Sequence, residues 1–139
     1  QQKLLLVHNT FSESADIEEI KTHFSLAYWC TCPKANWYIE QRLPNYDLWR
    51  EKNLKITIGT DSLASNDSLS VLEEIKMIKK NFPHIPTNEL LIWACKNGAE
   101  FFNYDELGSF KTGSKPGVVL IEHVDELQLT ENSKVTVLG

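Results

Sequence analysis

An α/β fold built from parallel strand–helix units is predicted by three observations. Short apolar or β-branched runs at residues 4–7, 25–30 and 55–58 alternate with stretches of helical character, the order that yields parallel βα units. The first run, Leu4-Leu5-Leu6-Val7, is apolar at every position, as in a strand buried on both faces of a parallel sheet. Each run ends in a polar group: His8, then Thr31 with Cys32, then Asp61. Parallel neighbours place all three tips on one rim, with Thr31 or Cys32 between His8 and Asp61.

Each element has its local reason. After the first run and His8-Asn9-Thr10, Ser12 or Ser14 caps a helix through about His23, with Asp16, Glu18 and Glu19 near its positive end. The second strand is rich in aromatic residues, and Cys32-Pro33 stops it. Residues 34–43 read as a loop with a helical turn. Pro44-Asn45 opens a short helix through Asn53, with Leu48 and Trp49 inward. Beyond Asp61 a helix runs from about Ser68 to Asn81, where Val71, Ile75, Ile78 and Phe82 form one apolar stripe. Pro83 and Pro86 break it. Thr87 caps a further helix to about Phe102, with Leu90, Leu91, Ala94, Gly98, Phe101 and Phe102 inward. All these stripes read as core packing. Gly108, Gly113 and Gly117 then punctuate shorter segments, and residues 118–122 and 134–138 read as strands with a turn at Asn132-Ser133.

Composition narrows the function. A chain of 139 residues suits one domain with a modest core. A net charge of −5 argues against nucleic acid and anionic membrane as partners. No apolar run approaches the roughly 20 residues of a membrane span. Gln1-Gln2-Lys3 leads straight into the first strand without a signal peptide or an initiator Met, which reads as a piece of a longer protein. Cys30, Cys32 and Cys95 do not look like a secreted disulfide framework. Buried free thiols and a reducing cytoplasm are expected.

The most specific phrase runs from Lys55 through Gly59-Thr60-Asp61 to Ala64-Ser65-Asn66-Asp67-Ser68-Leu69. It places one carboxylate at the C-terminal tip of a strand, where α/β folds put their chemistry. By itself Asp61 could also cap the following loop. A strand-end histidine such as His8 reads equally as a proton carrier or as a group satisfying a loop carbonyl. The wider pattern resembles the amidohydrolase superfamily, in its branch of cytosine, guanine and adenosylhomocysteine deaminases and triazine chlorohydrolases. Gly59-Thr60-Asp61 with its Ser-Asn-rich loop and Glu73-Glu74 resembles the last barrel strand and helix of that family. Leu6-Val7-His8 resembles the sixth strand, and Cys32-Pro33-Lys34-Ala35-Asn36 the loop after the seventh. Asn97-Gly98-Ala99 and Leu107-Gly108-Ser109-Phe110 with Gly113 and Lys115 resemble later family segments. Thr31 stands where the family has His, Ala35 where it has Ser, and Pro116-Gly117 where it has Ala-Asp.

The resemblance implies the last three βα units of a TIM-type (β/α)8 barrel plus C-terminal helices and short strands of an accessory β-sandwich. A whole barrel takes roughly 250 residues. Residues 1–104 would be the barrel part and 105–139 the sandwich tail. It implies a metal-dependent hydrolase, with Asp61 as metal ligand and catalytic group, His8 as catalytic and substrate-binding group, and Asn36 and Ser65 as substrate contacts. The cofactor would be one divalent metal, zinc or iron, held in the complete enzyme. The family's His-x-His pair and a further ligand His are missing, so this stretch alone is expected to hold no metal and to be inactive. The substrate would be a small heterocycle, and unpaired sheet edges suggest a homo-oligomer unless the tail strands cover them. Two rivals are an open α/β module binding a small anion on the loop at residues 65–68, and a non-catalytic relative serving as a structural subunit.

Overall fold

The computed structural model describes residues 2–138; Gln1 and Gly139, the ends of the two expected ranges, lie outside them. The chain divides into two compact units, Gln1–Leu69 and Ser70–Gly139.

In the first unit, β1 (Leu4–Val7), β2 (Ala27–Thr31) and β3 (Lys55–Ile58) form a parallel sheet in the order β1-β2-β3. Leu6 pairs with Trp29, which pairs in turn with Ile56. The expected α/β architecture and the common rim are therefore present. Helix α1 (Ser14–His23) is capped by neither expected serine: Ser14 is its first residue. Glu13 occupies the N-cap, and its N–H donates to Asp16 Oδ2 at 2.8 Å in a reciprocal capping box. The stretch expected as a loop is a two-turn helix, α2 (Pro33–Glu40). Pro33, with its φ already helical, sits at the first position. Trp37, Tyr38 and Ile39 are exposed, so no apolar stripe announces this helix. Helix α3 (Tyr46–Glu51) is capped by Asn45 Oδ1, which accepts the Leu48 N–H at 3.0 Å. Its Tyr46 and Trp49 are buried, and Trp49 packs on Trp29 with ring centroids 5.5 Å apart.

In the second unit, α4 (Val71–Asn81) is capped by Ser70 and buries Leu72, Glu74, Ile75 and Ile78. Val71 is exposed, because the helix starts three residues later than expected and Val71 is its first residue. The next helical stretch is continuous but not uniform. Between α5 (Thr87–Leu91) and α6 (Asn97–Phe102) lies a π-helical turn, Ile92–Lys96. Such a turn inserts a residue and moves the inward face along by about one position. Ala99 is thus buried where Gly98 is expected; Trp93, three residues after the buried Leu90, is buried in place of Ala94, and Phe102 is exposed.

The tail forms an antiparallel hairpin of β4 (Val119–Asp125) and β5 (Gln128–Val137). Its turn is Glu126-Leu127, not Asn132-Ser133. Both turn residues have positive φ, 44° and 67°, the twist of a type I′ turn, yet neither is the Asn or Gly that marks such a turn in sequence. Asn132-Ser133 belongs to an irregular stretch of β5 opposite His123, where Ser133 Oγ donates to His123 O at 2.9 Å. Among the described residues β4 and β5 pair only with each other, so neither tail strand joins the edge of β1 or β3 as cover.

The three cysteines are free as expected. Only Cys32 is buried; Cys30 is half-buried and Cys95 exposed. No helix among the described residues is long and apolar enough to cross a membrane.

Candidate active site

The rim where the parallel strands end carries two ionisable side chains. The β1 ladder closes with His8 N–H donating to Cys30 O at 2.9 Å, and the β3 ladder with Gly59 N–H donating to Thr31 O at 2.9 Å. Just past these last rungs the backbone turns left-handed at both candidate residues, with φ of 69° at His8 and 57° at Asp61. This conformation costs a non-glycine residue about 1–2 kcal/mol. It bends each chain out of the strand direction and leaves His8 Nε2 3.9 Å from Asp61 Oδ2, with 38% and 34% of the two side chains exposed.

Each member of the pair has its own support. Ser65 Oγ donates to Asp61 Oδ2 at 2.9 Å, and Asn66 Nδ2 donates to Thr60 O at 2.8 Å, which closes the loop after β3 back on itself. On the other side Asn36, the fourth residue of α2, meets the His8 ring: its Nδ2 lies 3.2 Å from His8 Nδ1 and 2.8 Å from Thr10 Oγ1. From sequence, Asn36 and Ser65 are expected as substrate contacts. Both are buried, and their polar atoms are engaged with His8, Thr10 and Asp61. Thr10 is buried beside them, and its only signal in the sequence is its place two residues after His8.

Thr31 is fully buried with its hydroxyl 2.6 Å from Tyr46 Oη. Cys32 is buried as well, so neither middle residue of the rim is presented openly. Gly59 explains part of this packing. A Cβ there would lie 3.1 Å from Cys30 Sγ and 3.3 Å from Cys32 Sγ. Hydrogen bonding to Cys32 and to Thr57 holds the Cys30 thiol down to about 7, against burial, which pushes it up.

Beside the rim lies a cleft of about 350 Å³ lined by Lys34, Tyr38, Leu63, Ser65, Asn66 and Asp67 among others. Lys34 pairs with Asp67 across it, and that hydrogen bond holds the Asp67 carboxyl below the usual carboxylate range. The loop offers little to an anion. Ser65 N–H donates to Ser62 O, and Ser68 N–H to Asn66 Oδ1.

For a metal, Asp61 is a suitable oxygen donor. However, no group of three His, Cys, Asp or Glu side chains that could hold an ion exists among the described residues. A catalytic zinc takes three protein ligands, so the residues present do not make up a complete metal centre.

Comparison with known proteins bears on this geometry. The model of the amidohydrolase family matches residues 1–139. An adenosine deaminase of Helicobacter pylori is 30% identical over 99 residues, which are 69% of this chain and 24% of that protein. A 5-methylthioadenosine/S-adenosylhomocysteine deaminase of Archaeoglobus fulgidus is 27% identical over 143 residues, 96% of this chain and 33% of that protein. The crystal structure of Helicobacter pylori aminofutalosine deaminase in complex with methylthio-coformycin superposes with a TM-score of 0.73 at 27% identity, covering 91% of this chain and 31% of that one. The chain thus spans a quarter to a third of the length of these relatives, at 24%, 33% and 31%. Its α/β fold is that of a piece of the deaminase barrel, and the chain belongs to the amidohydrolase family.

Proposed function

We propose that this chain is the C-terminal part of a metal-dependent hydrolase that deaminates a heterocyclic amine, with His8 and Asp61 as its catalytic groups. The opposition of these two side chains across one rim carries the reading, and family membership supports it. The relatives' names, adenosine and 5-methylthioadenosine/S-adenosylhomocysteine deaminase, favour an aminopurine nucleoside among the heterocycles; a related C–N or C–Cl hydrolysis is the wider class. In the reaction water adds to the ring carbon that bears the amine, and ammonia leaves, so that C–NH2 becomes C=O. Asp61 accepts the proton of the attacking water, and His8 hydrogen-bonds the charge that develops on the ring. Asn36 and Ser65 act through His8 and Asp61, the atoms their side chains meet.

Asp61 would also supply one ligand to a divalent metal, zinc or iron, whose other donors come from the rest of the complete protein. By the same reading β1 to β3 are the sixth to eighth strands of the barrel, residues 1–104 complete its C-terminal part, and residues 105–139 belong to the accessory β-sandwich. The edges of β1 and β3, each with a neighbour on one side only among the described residues, are proposed contacts to the missing strands. In the isolated chain they would be contacts to a second copy.

The test is ammonia release from adenosine-type nucleosides by the complete protein, before and after a chelator, beside the 139-residue chain alone. Chelator-sensitive release by the complete protein and none by the chain is expected. Release by the chain alone, or none by the complete protein on any aminated heterocycle, overturns the reading.

A further inference from the structure

We propose that Asn36 is a positioning residue that fixes His8 as the tautomer with its proton on Nε2, so that the ring presents a hydrogen-bond donor toward Asp61 and the open rim. The inference rests on the reading of His8 as a site residue and adds the direction of its hydrogen bond. Asn36 is 1% exposed and held from two sides. Its own N–H donates to Cys32 O at 2.8 Å, and its Oδ1 accepts the Cys32 N–H at 3.1 Å. That second contact decides which way the amide faces. A backbone N–H can only donate, so the oxygen of the Asn36 side chain must lie on the Cys32 side. The amide nitrogen is then left facing Thr10 Oγ1 at 2.8 Å and His8 Nδ1 at 3.2 Å, with Glu40 Oε2 a longer third neighbour at 3.4 Å.

An amide NH2 has two protons to give and accepts nothing. The Asn36–His8 contact is therefore a hydrogen bond only if Nδ1 is bare, and in the neutral ring the proton then sits on Nε2. Nε2 is the atom 3.9 Å from Asp61 Oδ2. A group entering between the two side chains meets a donor from His8 and an acceptor from Asp61. This division suits a ring nitrogen or developing negative charge on one side and a water proton on the other. The partner that sets a histidine's tautomer lies behind the reacting nitrogen in many sites; here that partner is an amide on a buried helix turn.

The experiment is a long-range proton–nitrogen correlation spectrum of the chain labelled with 15N-histidine, at mildly alkaline pH, with His8 assigned by its loss in His8→Gln. Wild type is expected to show a protonated Nε2 and a bare Nδ1. Asn36→Asp puts an acceptor oxygen where the amide nitrogen stood, and is expected to move the proton to Nδ1. A wild-type His8 with its proton on Nδ1, or an even mixture of the two forms, overturns the proposal whatever the variant does. So does an unchanged tautomer in a folded Asn36→Asp. Neither readout depends on turnover, so a failure of the deaminase reading would show in the ammonia assay and not here.

Discussion

His8 Nε2 and Asp61 Oδ2 face each other at 3.9 Å from the tips of the two outer strands of a parallel sheet, and both residues hold left-handed backbone. The strain and the approach share one cause. Each chain must leave its strand sharply just after its last ladder hydrogen bond, and the turn swings both side chains over the end of β2. Local strain of this kind gathers at functional sites when the surrounding structure holds it in place.

That backbone sets the ranking of substitutions at Asp61. Asn tolerates the left-handed region and keeps an oxygen for the Ser65 hydroxyl, whereas Ala does neither. Asp61→Asn is expected to change stability by less than about 1 kcal/mol, and Asp61→Ala to cost about 1 kcal/mol more. In the complete protein Asp61→Asn should lower kcat by roughly a hundredfold or more. Urea unfolding and ammonia release check the two halves. Equal costs for Asn and Ala would mean that the left-handed turn is not strained.

The Gly59 position is limited by sulfur. Gly59→Ala would bring a Cβ to 3.1 Å from Cys30 Sγ and 3.3 Å from Cys32 Sγ, an overpacking expected to cost about 1–3 kcal/mol. Adding Cys30→Ala should recover most of that loss, giving a favourable coupling in a double-mutant cycle. Independent, additive effects would show that the two thiols are not what excludes a side chain there.

Cys30 should be a thiolate earlier than an ordinary cysteine. In a Cys95→Ser background its alkylation rate is expected to reach half its maximum near pH 7, and in Cys32→Ala to move back toward the usual 9.0. A depressed thiol pKa stabilises the folded state above the unfolded value. The contribution is therefore complete above pH 9.0 and lost as pH falls through about 7. Comparing urea midpoints of wild type and Cys30→Ala across that window reads the same effect; a difference that grows toward acid pH would reverse the sign and refute it.

The β4–β5 turn offers a stabilising exchange. Glu126 and Leu127 adopt φ of 44° and 67° without being residues that favour it. Replacing the pair with Asn-Gly should raise stability by about 1 kcal/mol, seen as a higher thermal midpoint. A lower midpoint would show that the two side chains contribute more than the strain removes.

Sequence by itself determined the strand order along the chain, the parallel sheet and the rim, because alternating βα units leave few ways to connect and each strand announced its polar tip. Leu4–Val7 and Lys55–Ile58 were legible to the residue, since short apolar runs with clear ends carry their own period. Tertiary structure decided what the local signals could not carry. Helix α2 hid because its aromatic residues face outward. The π turn at Ile92–Lys96 shifted a face that regular helical spacing placed elsewhere. The hairpin turned at Glu126-Leu127 because strand pairing imposed a conformation that those two residues do not prefer. At the site, family resemblance pointed to His8, Asn36, Asp61 and Ser65 together. Only their coordinates separate two half-exposed groups facing each other from two buried groups bound behind them, because direction and burial arise from packing between distant segments and leave no mark on spacing along the chain.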